Sequence, residues 1–179
     1  MAIEVVKVFM ERYPALRFIG ERYTNDDRTE GGFGKQWGEW MERGRFEKLK
    51  STAPAKPYDD AAIGLMTMRG DMGGFTYWIG LFFPAGTETP EGFDYLDLPE
   101  SNIGMGWVRG NEANGEIFGG PPHEAVCKKL DEENVGKFRN DVAGAGSDTY
   151  CFFERYDGRR FEEKDADGNI ILDYGNYFK

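Results

Sequence analysis

The order of predicted strands and helices occurs twice along this sequence of 179 residues. Apolar alternation and helical spacing predict a strand, a helix and two further strands, at residues 16–23, 34–49, 62–68 and 75–83. After a linker with two prolines, the second half is predicted to have strands at 93–98 and 103–108, a helix at 122–133, and strands at 149–156 and 170–178. We therefore predict an α+β fold. It is a tandem duplication of two strand–helix–strand–strand units, with antiparallel sheets and a central ligand cleft.

The length predicts a single domain over residues 1–179, with pseudo-repeats at about 13–84 and 91–178. A chain of this size buries roughly two-thirds of its unfolded surface, so it needs neither disulfides nor a metal to fold. The two cysteines, Cys127 and Cys151, form no CxxC pair and indicate reduced core thiols. We expect a cytoplasmic protein that does not enter a membrane, because the sequence has no run of about 18 apolar residues and no signal-peptide core.

The negative charge is concentrated in the second half of the chain. Residues 1–89 carry 12 basic and 13 acidic residues, whereas residues 90–179 carry 10 basic and 19 acidic residues. A net charge of -10 repels phosphate backbones, so direct nucleic-acid binding is not expected. The acidic half would attract a cationic ligand or a basic protein partner, although solubility explains the same charge equally well.

The only histidine, His123, limits the chemistry that is available. A catalytic triad could use no other histidine as its base, and a histidine-rich metal site is excluded. His123 lies near a predicted helix start, and we interpret it as structural or solvated. The glycines around Trp107 do not form a phosphate-binding motif. We predict neither a metal nor a cofactor.

The predicted strand Thr149–Tyr156 contains the most informative pattern. Its alternation places Tyr150, Phe152, Glu154 and Tyr156 on one face. A carboxylate within a row of rings is costly to bury unless it is paired, hydrogen-bonded or protonated, and a cationic ligand or a proton transfer would use it. The alternative is an exposed sheet edge on which Glu154 pairs with Arg109 or Arg155.

Three further residues are candidate ligand contacts. Trp78 shares a strand face with Gly80, where a glycine leaves room for another group to approach. Trp107, beside Met105, suits an adaptable apolar pocket wall. Core packing is the favoured explanation for Trp78 and explains Trp107 equally well. Glu112, in a glycine- and asparagine-rich loop, could neutralise a cation at the pocket mouth.

Three segments resemble the GyrI-like domains, the effector-binding domains of many AraC- and MerR-type transcription activators. They are residues 33–44 (FGKQWGEWMERG), residues 75–81 (FTYWIGL) followed by PEGF at 90–93, and residues 153–156 (FERY) before the last strand. The resemblance extends from about Tyr13 to Phe178. It implies the same tandem fold and an aromatic cleft for lipophilic, often cationic molecules, with the buried acid at Glu154. No helix-turn-helix precedes the first predicted strand, so the chain resembles a stand-alone member that does not bind DNA itself.

Three functions remain open at this level. The favoured one is a sensor or sequestering protein that binds lipophilic cations. The second is a hydrolase of strained electrophiles of the cyclopropanoid type, because some stand-alone members of the family are similar to such hydrolases. Glu154 would then be the acid or base, and Tyr156 would orient water or donate a proton. The third is a modulator of a protein partner, similar to the gyrase-inhibitory members. The sequence sets neither the ligand nor the oligomeric state.

Overall fold

A computed structural model describes residues 3–71, 73–142 and 148–179. Within these residues the fold is α+β, as predicted, with eight strands and four α-helices. The strands are β1 Glu4–Tyr13, β2 Leu16–Thr24, β3 Ala62–Arg69, β4 Thr76–Pro84, β5 Asp94–Leu98, β6 Ser101–Asn111, β7 Thr149–Tyr156 and β8 Asn169–Phe178. The helices are α1 Gly34–Glu42, α2 Arg45–Thr52, α3 Gly120–Glu132 and the short α4 Gly158–Phe161.

All eight strands belong to one antiparallel sheet, whereas the sequence predicted more than one. The strand order is β1-β6-β8-β7-β3-β4-β2-β5. Strands β3 and β7 pair at the centre, with Gly64 opposite Glu154 and Met66 opposite Phe152. From this pair outward, β3-β4-β2-β5 on one side has the same layout as β7-β8-β6-β1 on the other.

Strand β1 was not predicted from the sequence. It forms one edge of the sheet, where it pairs with β6. Its register shifts between Val5 and Lys7, and Val6 is exposed. A bulge breaks the period-2 alternation, and an edge strand needs few apolar residues, so the pattern by which strands are recognised is weak here.

The predicted helix over residues 34–49 is two helices. The first ends at Glu42 and the second begins at Arg45, because Gly44 adopts a left-handed conformation with φ of 57°. Glycine takes this conformation without steric cost. The break still lets Trp40 and Phe46 pack together, with ring centroids 4.7 Å apart, which explains why the apolar spacing looked continuous.

The two faces of the sheet carry different cores. On one face, Tyr13 of β1, Leu98 of β5 and Phe153 of the central β7 belong to the same buried cluster. Residues of both edge strands therefore belong to one continuous core on this face. The other face carries two clusters, one beneath α1 and α2 and one beneath α3. These helices do not cover the centre of the sheet on this face.

Candidate functional site

A cleft of about 1560 Å³ opens on the helix-bearing face of the sheet. Its walls come from α1, α2 and the start of α3, and its floor from the central strands. The floor residues include Glu154 and Phe152 of β7, Tyr77 of β4 and Tyr174 of β8. The cleft therefore lies where β3 and β7 meet, between the two halves of the sheet.

The strand register explains why these floor residues meet. Residues directly opposite each other in antiparallel strands project to the same face. Met66 lies opposite both Phe152 and Tyr77, and Glu154 lies opposite Tyr174. With Tyr156, two residues after Glu154 on β7, one face of three strands supplies a carboxylate, three phenols and a phenyl ring.

The Glu154 carboxylate is the central polar group of the cleft. The residue is only 5% exposed. Its Oε2 atom accepts hydrogen bonds from the hydroxyls of Tyr77, at 3.1 Å, and Tyr156, at 3.0 Å. The indole Nε1 of Trp37 in turn donates to the Tyr77 hydroxyl at 2.8 Å. An indole N–H can only donate and a carboxylate can only accept, so the hydrogen bonds run from Trp37 through Tyr77 to Glu154.

Burial and hydrogen bonding act in opposite directions on this carboxylate. Burial raises the pKa of Glu154, because the charged form loses its water, while the Tyr156 and Tyr77 hydroxyls and the backbone N–H of Gly119 lower it. Burial raises the pKa of Tyr77 and of Tyr156 well above the ordinary value, so both hydroxyls remain donors. The result is a desolvated carboxylate that is held by neutral donors.

Aromatic rings surround this carboxylate. Phe33 stacks on Tyr77 with centroids 4.3 Å apart and an interplanar angle of 5°. The ring centroids of Trp37 and Phe161 lie 4.7 Å and 4.8 Å from that of Tyr156. The guanidinium of Arg28 already lies over Phe33, 5.0 Å from its centroid. Trp37, Tyr156 and Phe161 are therefore the rings left to contact an organic cation close to this negative charge.

The charged residues that line the cleft are predominantly acidic. Eight are carboxylates and three are Lys or Arg. The acids are Glu30, Glu47, Asp59, Asp60, Glu112, Glu154, Asp157 and Glu162, and the bases are Arg28, Lys50 and Arg159. Charge of one sign around a cleft raises the local concentration of ligands of the opposite sign.

Four of the seven predicted ligand-binding residues line this cleft. Phe152, Glu154 and Tyr156 lie on its floor, and Glu112 lies near its mouth, where it pairs with Lys164 at 3.4 Å. The alternative pairing of Glu154 with an arginine is not observed among the described residues. Arg109 instead binds Asp165 at 2.8 Å, and Arg155 binds Asp173 at 2.8 Å.

The structure places Trp78, Trp107 and Tyr150 outside the cleft. Trp78 lies opposite Leu65, so it faces the other core and packs against Phe18 at 5.9 Å. Trp107 lies opposite Asp173 on that same face, beside Phe9. Tyr150 shares the face of Glu154, but it lies farther along β7 and contacts Phe138. Strand alternation grouped the residues of β7 correctly, but for β4 and β6 it could not show which face of the strand lines the cleft.

Four cleft residues were not recognised as site residues in the sequence. They are Phe33, Trp37, Tyr77 and Tyr174. Strand alternation places Tyr77 on the face of β4 opposite Trp78, and only the pairing of β4 with β3 and of β3 with β7 shows that this face is the one beside Glu154. The helical spacing of Trp37 was visible, but spacing alone does not distinguish a core residue from a cleft wall.

His123, which was interpreted as structural or solvated, also lines the cleft. Its ring stacks on Phe152, with centroids 4.1 Å apart and an interplanar angle of 10°. Its Nε2 atom lies 2.6 Å from Oδ1 of Asn176 and 3.4 Å from Sγ of Cys127. Both neighbours approach the same nitrogen, so this trio is not a relay in which an amide orients a histidine to activate a thiol.

Within the described ranges, no helix is long and apolar enough to cross a bilayer, and no cluster of three or more His, Cys, Asp or Glu side chains is arranged to hold a metal ion.

Comparison with known proteins shows the fold. No protein family and no curated protein sequence matches this chain. Among solved structures, it is similar to a proposed bacterial transcription regulation protein from Staphylococcus aureus MU50, with a TM-score of 0.62 and 16% identity over 97% of this chain and 98% of that one. It is also similar to SAV2435 bound to tetraphenylphosphonium, with a TM-score of 0.60 and 16% identity over 97% and 94% of the two chains. An integron cassette protein from the mobile metagenome of Vibrio cholerae has a TM-score of 0.52 and 10% identity over the full length of both chains.

Proposed function

We propose that this protein binds lipophilic organic cations in the cleft, with Glu154 as the counter-ion. The observation that carries the proposal is the state of this carboxylate. It is buried among rings, and no Lys or Arg of the described ranges pairs with it. A buried charge held only by neutral donors is incompletely compensated, and a cation would supply the missing partner.

The rings add affinity for the same class of ligand. Trp37 and Tyr156 lie close to the carboxylate, and each cation–π contact contributes about 0.5–2 kcal/mol. The acidic lining of the cleft excludes anions and speeds the encounter with cations. Flat or propeller-shaped aryl cations suit the carboxylate, the aromatic rings and the acidic lining together.

The structural neighbours support this proposal. SAV2435, which shares the fold, binds tetraphenylphosphonium, a lipophilic cation. We infer that the chain is a GyrI-like effector-binding domain whose matching sheet halves arose by tandem duplication. In this reading Glu154 holds the cation, and Phe152 and Tyr156 contact its apolar groups, with Glu112 at the mouth.

Two ions of matched shape and opposite charge test the proposal. Tetraphenylphosphonium and tetraphenylborate are titrated calorimetrically into the wild-type protein, Glu154→Gln and Glu132→Gln. Glu132→Gln removes one negative charge from an exposed position of α3 outside the cleft. We expect the wild type and Glu132→Gln to bind the phosphonium and not the borate, and Glu154→Gln to bind the phosphonium at least tenfold more weakly. Equal binding of the two ions, or equal phosphonium affinity in all three proteins, would contradict the proposal.

One observation favours hydrolysis as a second candidate function. A carboxyl group with a raised pKa beside a tyrosine hydroxyl has the properties of a general acid, and Glu154 and Tyr156 form such a pair at 3.0 Å. The test is to incubate the protein with a cyclopropane-bearing electrophile and quantify the ring-opened product. Turnover that Glu154→Gln abolishes would establish this function, whereas stoichiometric recovery of the intact compound would leave binding alone.

A further inference from the structure

The second polar group of the cleft is the His123 imidazole, at the start of α3. It lies flat over Phe152, two residues before Glu154 on the same face of β7. Two residues along a strand span about 7 Å, so the backbone positions of Phe152 and Glu154 place the imidazole and the carboxylate over neighbouring parts of the same cleft floor. A single aryl cation could therefore reach both groups.

The hydrogen bonds of Asn176 determine which nitrogen of His123 carries the proton. Asn176 is fully buried, and its Nδ2 donates to the carbonyl oxygen of Gly104 at 3.1 Å. This bond directs Oδ1, an acceptor, toward Nε2 of His123 at 2.6 Å. Two acceptors at that distance would repel, so Nε2 carries the hydrogen. The reversed amide would instead turn Oδ1 toward the Gly104 carbonyl oxygen, again placing two acceptors together.

The other ring nitrogen is consequently an acceptor in the neutral imidazole. Burial lowers the pKa of His123, which favours the neutral ring at neutral pH. Nδ1 has no hydrogen-bond partner among the residues that the structure describes. It is also not one of the fully buried polar atoms without a partner, so protein atoms do not enclose it completely. His123 lines the cleft, so this lone pair is accessible to a ligand.

We propose that Nδ1 of His123 is a hydrogen-bond acceptor subsite of the cleft, selecting cations that also carry an O–H or N–H donor on an aryl group. This inference rests on the proposed function, because it assumes that Glu154 holds the charge. It adds the ligand class: a cation with a donor on an aryl group. Phe152 supports the imidazole from below, and Asn176 fixes its tautomer.

A matched set of phosphonium ions tests this subsite. Tetraphenylphosphonium is compared with the three triphenylphosphonium ions that carry a 2-, 3- or 4-hydroxyphenyl group. One neutral hydrogen bond is worth a factor of about 3 to 10 in affinity. We expect at least one hydroxylated ion to bind the wild type tighter than tetraphenylphosphonium by that factor. We expect this ratio to fall to about one in His123→Phe, which keeps an aromatic ring over Phe152 but has no acceptor.

Lys128→Ala is the control variant, since Lys128 is an exposed residue of the same helix outside the cleft. It should keep the wild-type preference. If tetraphenylphosphonium binds but no hydroxylated ion binds tighter, the subsite is disproved while the proposed function stands. If none of the four ions binds, both fail.

Nitrogen NMR of the wild-type protein tests the tautomer without any variant. The chain has one histidine, so labelling with ¹⁵N-histidine gives signals from that ring alone. We expect a protonated Nε2 and a bare Nδ1, and a shift of the Nδ1 signal toward the hydrogen-bonded position with the preferred hydroxylated ion but not with tetraphenylphosphonium. A protonated Nδ1 in the free protein, or an Nδ1 signal that moves equally with both ions, would overturn the inference.

Discussion

Gly64 of β3 lies directly opposite Glu154 of β7, and the space above its Cα is occupied by the polar groups of the site. A Cβ atom at Gly64 would lie 2.5 Å from the hydroxyl oxygen of Tyr77 and 2.9 Å from Oε2 of Glu154. Both distances are shorter than ordinary contacts, so the hydrogen bond between these groups depends on the missing side chain. Glycine is required here for close approach, not for backbone conformation.

We therefore expect Gly64→Ala to damage both stability and binding. The added methyl group must displace the Tyr77 hydroxyl or the carboxylate, and overpacking of this kind costs about 1–3 kcal/mol. Urea unfolding should show a lower midpoint, and calorimetry should show weaker tetraphenylphosphonium binding.

Gly38→Ala provides the matched control. Gly38 lies within α1, and a Cβ atom there would meet nothing within 4 Å. Alanine in a helix interior is favoured over glycine by about 1 kcal/mol. The same substitution should therefore stabilise the protein at position 38 and destabilise it at position 64. A gain in stability at both positions would show that the Gly64 contacts are easily relieved.

The pH dependence of stability should change when Glu154 is replaced. Burial raises the pKa of Glu154 in the folded protein above its ordinary value of 4.5, so the folded state binds this proton more tightly than the unfolded state. Stability is then lost as the pH rises from the unfolded pKa through the folded pKa, and the loss is constant at higher pH. Glu154→Gln removes this loss.

Unfolding of both proteins should be measured by urea titration from pH 3.5 to pH 8. We expect Glu154→Gln to be more stable than the wild type at pH 7, and the difference to shrink as the pH approaches 4. Other groups titrate in both proteins and cancel in the comparison. A difference that grows toward acid pH would mean that the hydrogen bonds from Tyr156 and Tyr77 outweigh the effect of burial.

Strand alternation gave most of the carboxylate site, because it depends on local geometry alone. It correctly grouped Phe152, Glu154 and Tyr156 on one face of β7. It could not select between Tyr77 and Trp78 on β4, since that choice is set by the pairing of Met66 with both Tyr77 and Phe152, and Phe152 lies 86 residues from Met66 along the chain. Pairing is fixed by the whole sheet, so a single strand does not encode it.

The elements that the sequence misjudged have local physical causes. The register shift near Val5 obscured β1, and the left-handed Gly44 divided a helix whose apolar spacing looked continuous. The position of His123 in the cleft could not be predicted, for a different reason. Its role depends on Phe152 beneath it and Asn176 beside it, and these neighbours lie 29 and 53 residues away in the sequence.

Tryptophan fluorescence should report ligand binding through one residue. Of the four tryptophans, Trp37 lines the cleft, whereas Trp40, Trp78 and Trp107 do not. We expect tetraphenylphosphonium chloride to change the emission of the wild type and of Trp78→Phe, and to leave the emission of Trp37→Phe nearly unchanged. Calorimetry on the same variants separates loss of signal from loss of affinity. A signal that survives in Trp37→Phe and disappears in Trp78→Phe would place the ligand on the opposite face of the sheet.

The reactivity of Cys127 distinguishes an inert thiol from a nucleophile. Burial, together with the smaller effect of the Glu124 charge, raises the pKa of the Cys127 thiol to about 11. At pH 8 only about one thiol in a thousand would be ionised, against roughly a quarter for a free cysteine. We therefore expect iodoacetamide to alkylate Cys127 at least about 100-fold more slowly than a free cysteine, with a rate that rises about tenfold per pH unit between pH 8 and pH 10.

Mass spectrometry can follow this alkylation residue by residue. Cys151 is fully buried and should not react in the folded protein, while both cysteines should react quickly in urea. The outcome bears on the neighbouring imidazole as well. Rapid labelling that is already independent of pH below pH 8 would require a thiolate beside a protonated His123. The imidazole would then be a cation and not an acceptor, and the assignment of its tautomer would be wrong. Slow labelling that follows the thiol pKa agrees with a neutral His123 bound through Nε2 to Asn176.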